Sequence, residues 1–229
     1  MTMDAKNLPM NELPVKEPTI FDHVGNKIIT DDRKIDIIAR IKEPLIVLLG
    51  NVLSEEECDQ LISLSKDRIE RSKISNKSVH DLRTSSSMFF DDAENDVVST
   101  VEKRVSQIMK IPVDHGEGIQ ILNYAIGQEY KAHYDYFSSG NSKVNNPRIS
   151  TLVMYLNDVE AGGETYFPKL NFYVAPKKGM AVYFEYFYND TTLNELTLHG
   201  GAPVVIGDKW AATQWMRRKA TSNVSSFTI

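Results

Sequence analysis

Through the first half of the chain apolar positions recur mainly at helical spacing, and from Gly118 the period changes. Cys58, Leu61, Ile62 and Ile69 fall on one side of a helix. Ser54-Glu55-Glu56-Glu57 opens it as a capping box, with Ser54 as N-cap and Glu57 at N3. Leu53 and Cys58 take the staple positions, so Cys58 reads as a core residue rather than a reactive thiol. A second helix is predicted from about Ala93 to Met109, with Val97, Val98, Val101, Val105, Ile108 and Met109 on one face and Pro112 as its stop. Upstream, Ile35 to Ile41 fits either a strand or a helix, and Leu45 to Leu49 reads as a buried strand closed by Gly50-Asn51. Residues 1–30 carry Pro9, Pro14 and Pro18 without sustained periodicity and read as an extended or flexible arm.

Beyond Gly118, β-rich runs are predicted at Gly118–Tyr124, Ser150–Leu156, Glu164–Phe167, Phe172–Ala175, Met180–Phe184, Leu196–His199 and Trp210–Met216. Gly162-Gly163, Pro176 to Gly179, Gly200-Gly201 and Gly207-Asp208 punctuate them. Short strands at this spacing argue for a sandwich or barrel. Helices first and strands after is an α+β order, with the helices packed on one face of the β core. The expected organisation is an arm (1–30), one domain (31–220) and a short tail (221–229).

Composition changes this picture little. Hydrophobic residues make up 41% and charged residues 25% of 229, the balance of an ordinary globular chain. A net charge of −5 gives no electrostatic reason to expect nucleic acid. A lone cysteine excludes an intramolecular disulfide. The polar, proline-bearing N-terminus has no signal-peptide core, and Leu45–Leu49 is too short to span a bilayer. The expectation is a soluble cytoplasmic protein. The apolar strand and the arm leave a homodimer open.

The chemistry lies in the β half. His133 and Asp135 stand two residues apart, a spacing that puts both on one face of a strand. His199 precedes Gly200-Gly201 on a later strand that a closed β structure can return beside the first. Two imidazoles and a carboxylate on one face of a metal leave other positions open, the donor set of non-haem iron(II) oxygenases. Alone, a His-x-Asp pair is short enough to arise by chance. Lys209, near the start of the final strand, would need an anionic partner if it pointed into the core; on spacing alone it reads as a turn lysine.

Around these residues the ordered motifs resemble the prolyl 4-hydroxylase family of 2-oxoglutarate-dependent oxygenases. They run from Tyr124 through Glu129-Tyr130-Lys131-Ala132-His133-Tyr134-Asp135, then Arg148 to Tyr155. They continue with Gly162-Gly163-Glu164-Thr165, Leu198-His199-Gly200-Gly201 and Gly207-Asp208-Lys209-Trp210 to Trp215. The resemblance covers about Leu45 to Arg218. It implies a double-stranded β-helix, a jelly-roll-like core with the metal in its mouth. It implies Fe(II) on His133, Asp135 and His199, and 2-oxoglutarate held at its far carboxylate by Lys209, Tyr124 and Thr165. Tyr130 and Trp215 would line a proline pocket. Arg148, Arg83 and Glu117 would lie near a peptide groove. Gly200 stands where alanine is more usual, and Gln214 where a lysine is common; neither removes a ligand.

The implied reaction hydroxylates peptidyl proline at C4, using O2 and 2-oxoglutarate and releasing succinate and CO2, with ascorbate as accessory reductant. The implied partner is a proline-containing peptide, collagen-like Gly-X-Y or poly-proline, without nucleic acid or membrane. Two other readings stay open: a related oxygenase acting on another side chain or a free amino acid, and a non-enzymatic jelly-roll binding module.

Overall fold

A computed structural model describes residues 21–72, 82–136, 145–188 and 192–221. The chain opens with β1 (Lys27–Ile29), β2 (Lys34–Lys42) and β3 (Leu45–Gly50), then α1 (Glu55–Ser65). Next come β4 (Glu70–Arg71), β5 (Ser86–Phe89), α2 (Asp96–Met109), β6 (Gln120–Tyr124), β7 (Tyr130–His133) and β8 (Arg148–Tyr155). Then follow β9 (Ala161–Gly162), β10 (Thr165–Phe167), β11 (Phe172–Val174), β12 (Ala181–Glu185), β13 (Phe187–Tyr188) and β14 (Thr192–Leu193). The last are β15 (His199–Gly201), β16 (Val204–Ile206) and β17 (Lys209–Arg217).

Nine strands form one antiparallel sheet in the order β1-β2-β3-β12-β8-β17-β6-β5-β4, and four form a second in the order β11-β10-β15-β7. The period of two decides what each face does. In β8, β12 and β6, Leu152, Met154, Tyr183 and Ile121 belong to the core cluster shared with Val98, Val101, Val105 and Ile108 of α2 and Cys58 and Leu61 of α1. The alternate residues Tyr155, Val182 and Phe184 cluster instead with Phe167 of the smaller sheet. One face of the large sheet is therefore roofed by helices, and the other faces the second sheet. This is the α+β double-stranded β-helix architecture, with helices on one side.

Packing rather than propensity holds α2. Its buried Val98, Val101, Val105, Ile108 and Met109 contribute on the order of 10 kcal/mol at about 1.5–3 kcal/mol each. Its cap contributes about 1 kcal/mol. That cap is Asn95, whose side chain accepts from the Val98 N–H at 3.0 Å. The helix therefore begins at Asp96 rather than near Ala93, which sits at φ +51° and donates its N–H to Glu102 at 3.0 Å. The capping box of α1 is present in both directions, Glu57 N–H to Ser54 Oγ at 3.1 Å and Ser54 N–H to Glu57 Oε2 at 2.8 Å. Glu57 has a second task. The guanidinium of Arg104, buried on α2, donates to Glu57 Oε1 and Asp32 Oδ2 at 2.5 Å each and to the Val52 carbonyl at 2.9 Å. One side chain thereby ties both helices to the β1–β2 turn.

Several boundaries differ from expectation. The arm lies outside the described residues up to residue 20, but residues 21–30 belong to the fold. Phe21 is buried and stacks on Tyr183 at 4.8 Å, and Ile28 of β1 is buried as well. Thr221 bonds the Asp114 carbonyl at 2.9 Å, and the rest of the tail lies outside the described residues. Ile35–Ile41 resolves as a strand within β2. Leu196–His199 does not run as one strand: Asn194 accepts from the Leu196 N–H at 3.0 Å and sets a 3-10 turn over Glu195–Thr197, so β15 starts at His199. Finally, β3 is paired on both edges, to β2 and β12. It offers no free strand for the self-association that its apolar sequence suggested. No helix among the described residues is long and apolar enough to cross a membrane.

Candidate metal centre and active-site cleft

His133 ends β7 and His199 begins β15, and the two residues are direct cross-strand partners. The chain bends after His133, so Asp135 reaches the imidazoles from the loop rather than from the strand face that its spacing suggested. Its Oδ1 lies 3.4 Å from His133 Nε2 and its Oδ2 3.4 Å from His199 Nε2. One ligand atom from each residue falls within 4.8 Å of the others. Both Nδ1 atoms lie 2.9 Å from a backbone carbonyl, Lys131 for His133 and Thr197 for His199. A carbonyl only accepts, so each Nδ1 carries the proton and each Nε2 turns a lone pair inward. Burial, with His199 alongside, keeps the His133 imidazole on the neutral side of its usual value despite Asp135. Burial alone would raise the Asp135 carboxyl, but a proton on either neighbouring imidazole, His199 foremost, would hold it well below the ordinary carboxylate range. Neutral imidazoles and an ionised carboxylate are the protonation states that ligation requires. The donor set fits a divalent iron site with open positions.

A cleft of about 460 Å³ opens from this centre. Lys209, Tyr124 and Thr165 all line it. Lys209 and Tyr124 face each other across β17 and β6, while Thr165 is paired with Gly201 on β15. Lys209 is not a turn lysine: it is the first residue of β17, 4% exposed, with Nζ donating to the Gly163 carbonyl at 2.7 Å. Gly162 and Gly163 sit at φ +77° and +70°, a left-handed pair that aims that carbonyl. No carboxylate lies within hydrogen-bond distance of Nζ among the described residues. Burial accordingly pulls its pKa down to about 8, only partly opposed by Glu164. A buried ammonium with one backbone acceptor fits an anionic ligand end. Tyr155 Oη donates to Thr165 Oγ1 at 2.9 Å, which fixes that hydroxyl.

An aromatic and basic group also lines the cleft. Tyr130 stacks on His133 with ring centroids 3.6 Å apart. Arg148 lies over the Trp215 ring at 3.9 Å and is clamped by Glu117 through two bonds of 2.6 Å. Arg83 covers Tyr130 at 4.8 Å and donates to Gln120 Oε1 at 3.1 Å. Tyr130, Trp215, Arg148 and Arg83 line the cleft, whereas Glu117 does not and acts on it through Arg148. Gln214 points away and donates to the Glu117 carbonyl. A side chain at Gly200 would place its Cβ 2.7 Å from both the Tyr130 carbonyl and the Tyr166 ring, so this arrangement requires glycine there.

Sequence reasoning missed Gln120, Leu122, Ala211 and Thr213, which also line the cleft. Counting in twos from Tyr124 along β6 and from Lys209 along β17 would have found all four. It also missed Thr151, whose hydroxyl lies 2.7 Å from Asp135 Oδ2. That contact joins separate elements, and no spacing announces it.

Residues 119–217 match the profile of the 2OG-Fe(II) oxygenase superfamily. An Arabidopsis thaliana protein described as probable prolyl 4-hydroxylase 3 is 40% identical over 199 residues, 76% of this chain and 69% of that protein. Prolyl 4-hydroxylase 5 of the same plant is 39% identical over 224 residues, 87% of this chain and 75% of its own length. Among solved structures, the viral collagen prolyl hydroxylase of Paramecium Bursaria Chlorella virus-1, in its 2OG complex, superimposes with a TM-score of 0.64. The two are 30% identical over 75% of this chain and 95% of the viral one.

Proposed function

The chain belongs to the prolyl 4-hydroxylases of the 2OG-Fe(II) oxygenase superfamily, and from that premise we propose how its own residues divide the work and what they act on. His133, Asp135 and His199 hold Fe(II) through Nε2, a carboxylate oxygen and Nε2. Lys209, Tyr124 and Thr165 hold the far carboxylate of 2-oxoglutarate. When bound, metal and co-substrate supply the oxidising chemistry: O2 is divided between succinate, formed with CO2, and a hydroxyl at C4 of proline.

The protein supplies placement. Lys209 provides a charge in a water-poor pocket, where attraction to a carboxylate is stronger than in solvent. Tyr130, stacked on His133, and Trp215, under Arg148, form apolar walls that bring a prolyl ring beside the metal ligands and exclude water. Arg148 keeps its guanidinium in place through Glu117 and presents it to the peptide backbone. The substrate is a proline-containing peptide in an extended, polyproline II-like conformation. Such a peptide loses little entropy on entering an aromatic-lined groove. Collagen-like Gly-X-Y and poly-proline sequences both meet this description. Ascorbate is assigned to keeping the metal ferrous between turnovers.

The observation that carries the reading is Lys209: a buried ammonium with a single backbone acceptor, on the same cleft as the triad. The test is succinate release over a panel of prolyl and proline-free peptides, read together with a mass gain of one oxygen. Release confined to prolyl peptides supports the reading. Release with a free amino acid or a non-prolyl side chain replaces its substrate, and consumption of no 2-oxoglutarate under any condition removes it.

A further inference from the structure

Asp135 has two oxygens, and the fold treats them differently. Oδ2 lies 2.7 Å from the Thr151 hydroxyl, whereas no hydroxyl or amide among the described residues bonds Oδ1. An ionised carboxylate can only accept, so Thr151 donates. Its position is not adjustable. Thr151 is fully buried at the centre of β8, paired with Phe184 on β12 and with Trp215 on β17. The Asp135 backbone is held as well, by Arg148 Nη1 at 3.3 Å from its carbonyl.

We infer that Thr151 is a positioning residue that ties down Asp135 Oδ2 and so restricts this carboxylate to one-oxygen ligation of the metal through Oδ1. The inference rests on the metal assignment proposed above and sharpens it. A carboxylate is free to bind a metal with one oxygen or with both. Binding with both takes a second position at the ion. Two imidazoles and a single carboxylate oxygen would leave the ion open positions for a two-atom co-substrate chelate and for O2, and a second carboxylate oxygen would compete for them. The charge-assisted bond to Thr151 opposes that swing, and it also fixes the side chain of a ligand that comes from a loop rather than a strand.

Thr151→Val removes the donor at nearly constant shape, and Thr151→Ser keeps it. The experiment is anaerobic titration of the purified full chain with Co(II), whose visible absorption reports coordination, and with Mn(II), each with and without 2-oxoglutarate. Melting of the metal-free protein serves as the folding control. Thr151→Val is expected to bind metal about 10- to 100-fold more weakly and to change the Co(II) spectrum, while Thr151→Ser stays near wild type. Thr151→Ala carries the same test if the valine variant is insoluble. Binding within about twofold of wild type with an unchanged Co(II) spectrum in the valine or alanine variant overturns the inference while leaving the metal site standing. Absence of metal binding by the wild-type chain overturns the metal assignment, and the inference falls with it.

Discussion

Replacing Lys209 by methionine keeps an unbranched side chain, one atom shorter, and deletes its charge, and its consequences follow from burial. In the free protein the ammonium is held at about 8 instead of the ordinary 10.5. That gap corresponds to about 3 kcal/mol of unfavourable burial at ~1.36 kcal/mol per pH unit, which an arriving carboxylate returns. Lys209→Met should therefore raise the KM for 2-oxoglutarate on the order of 100-fold with metal binding intact. The wild-type affinity should itself depend on pH. The ammonium is the binding form, so affinity is full below about 8 and falls as pH rises past it, approaching tenfold per pH unit; the variant should be flat. The same change should stabilise the ligand-free fold. Because the folded pKa lies below the unfolded one, the penalty is complete at pH 7 and fades only between 8 and 10.5. Relief of about 3 kcal/mol is offset in part by the Gly163 carbonyl left without its donor, about 1–3 kcal/mol, so the Tm should rise by up to roughly 8 °C for a chain of this size. The assays are 2-oxoglutarate-dependent succinate release from pH 6.5 to 9.5 and thermal melting without ligands. An unchanged KM together with an unchanged Tm refutes the argument from burial.

Arg148→Ala should raise the KM for the prolyl peptide by about 30-fold, the effect of losing about 2 kcal/mol at an interface arginine, and leave the KM for 2-oxoglutarate unchanged in steady-state kinetics. Glu102 is pushed up to about 7 by burial against an unfolded value of 4.5. The folded state thus holds the extra proton between those values, and stability falls as pH rises through that window by at most about 3 kcal/mol. Glu102→Gln, which keeps an acceptor for the Ala93 N–H, should flatten that slope in urea midpoints at pH 5 and pH 8. Arg104→Ala strands Asp32 and Glu57 and should cost about 3–5 kcal/mol in urea unfolding without altering the KM for either substrate.

Much of this was legible in the sequence because the relevant rules are local. The Ser54–Glu57 box, the apolar stripe of α2 and the His-x-Asp pair can each be read within a few residues. The ordered motifs from Tyr124 to Trp215 named residues that the fold gathers along one cleft. Lys209 was ambiguous on spacing, since a turn lysine and a buried one have the same neighbours in sequence; only its 4% exposure separates them. What stayed hidden depends on partners far apart in the chain. Arg104 meets Asp32 and Glu57 across 72 and 47 residues. Thr151 meets Asp135 because a loop returns beside a central strand. Residues 21–30 looked like linker because Phe21 and Ile28 show no period, although burial of each fixes the segment in place.

The central claim is that His133, Asp135 and His199 together hold the iron. Its most direct test is equilibrium binding of Fe(II) under anaerobic conditions to the wild-type chain and to His133→Ala, Asp135→Ala and His199→Ala, each first shown to melt cooperatively. The account predicts one iron per wild-type chain and the loss of that site in all three variants. Stoichiometric iron bound with wild-type affinity by any one of them would contradict it.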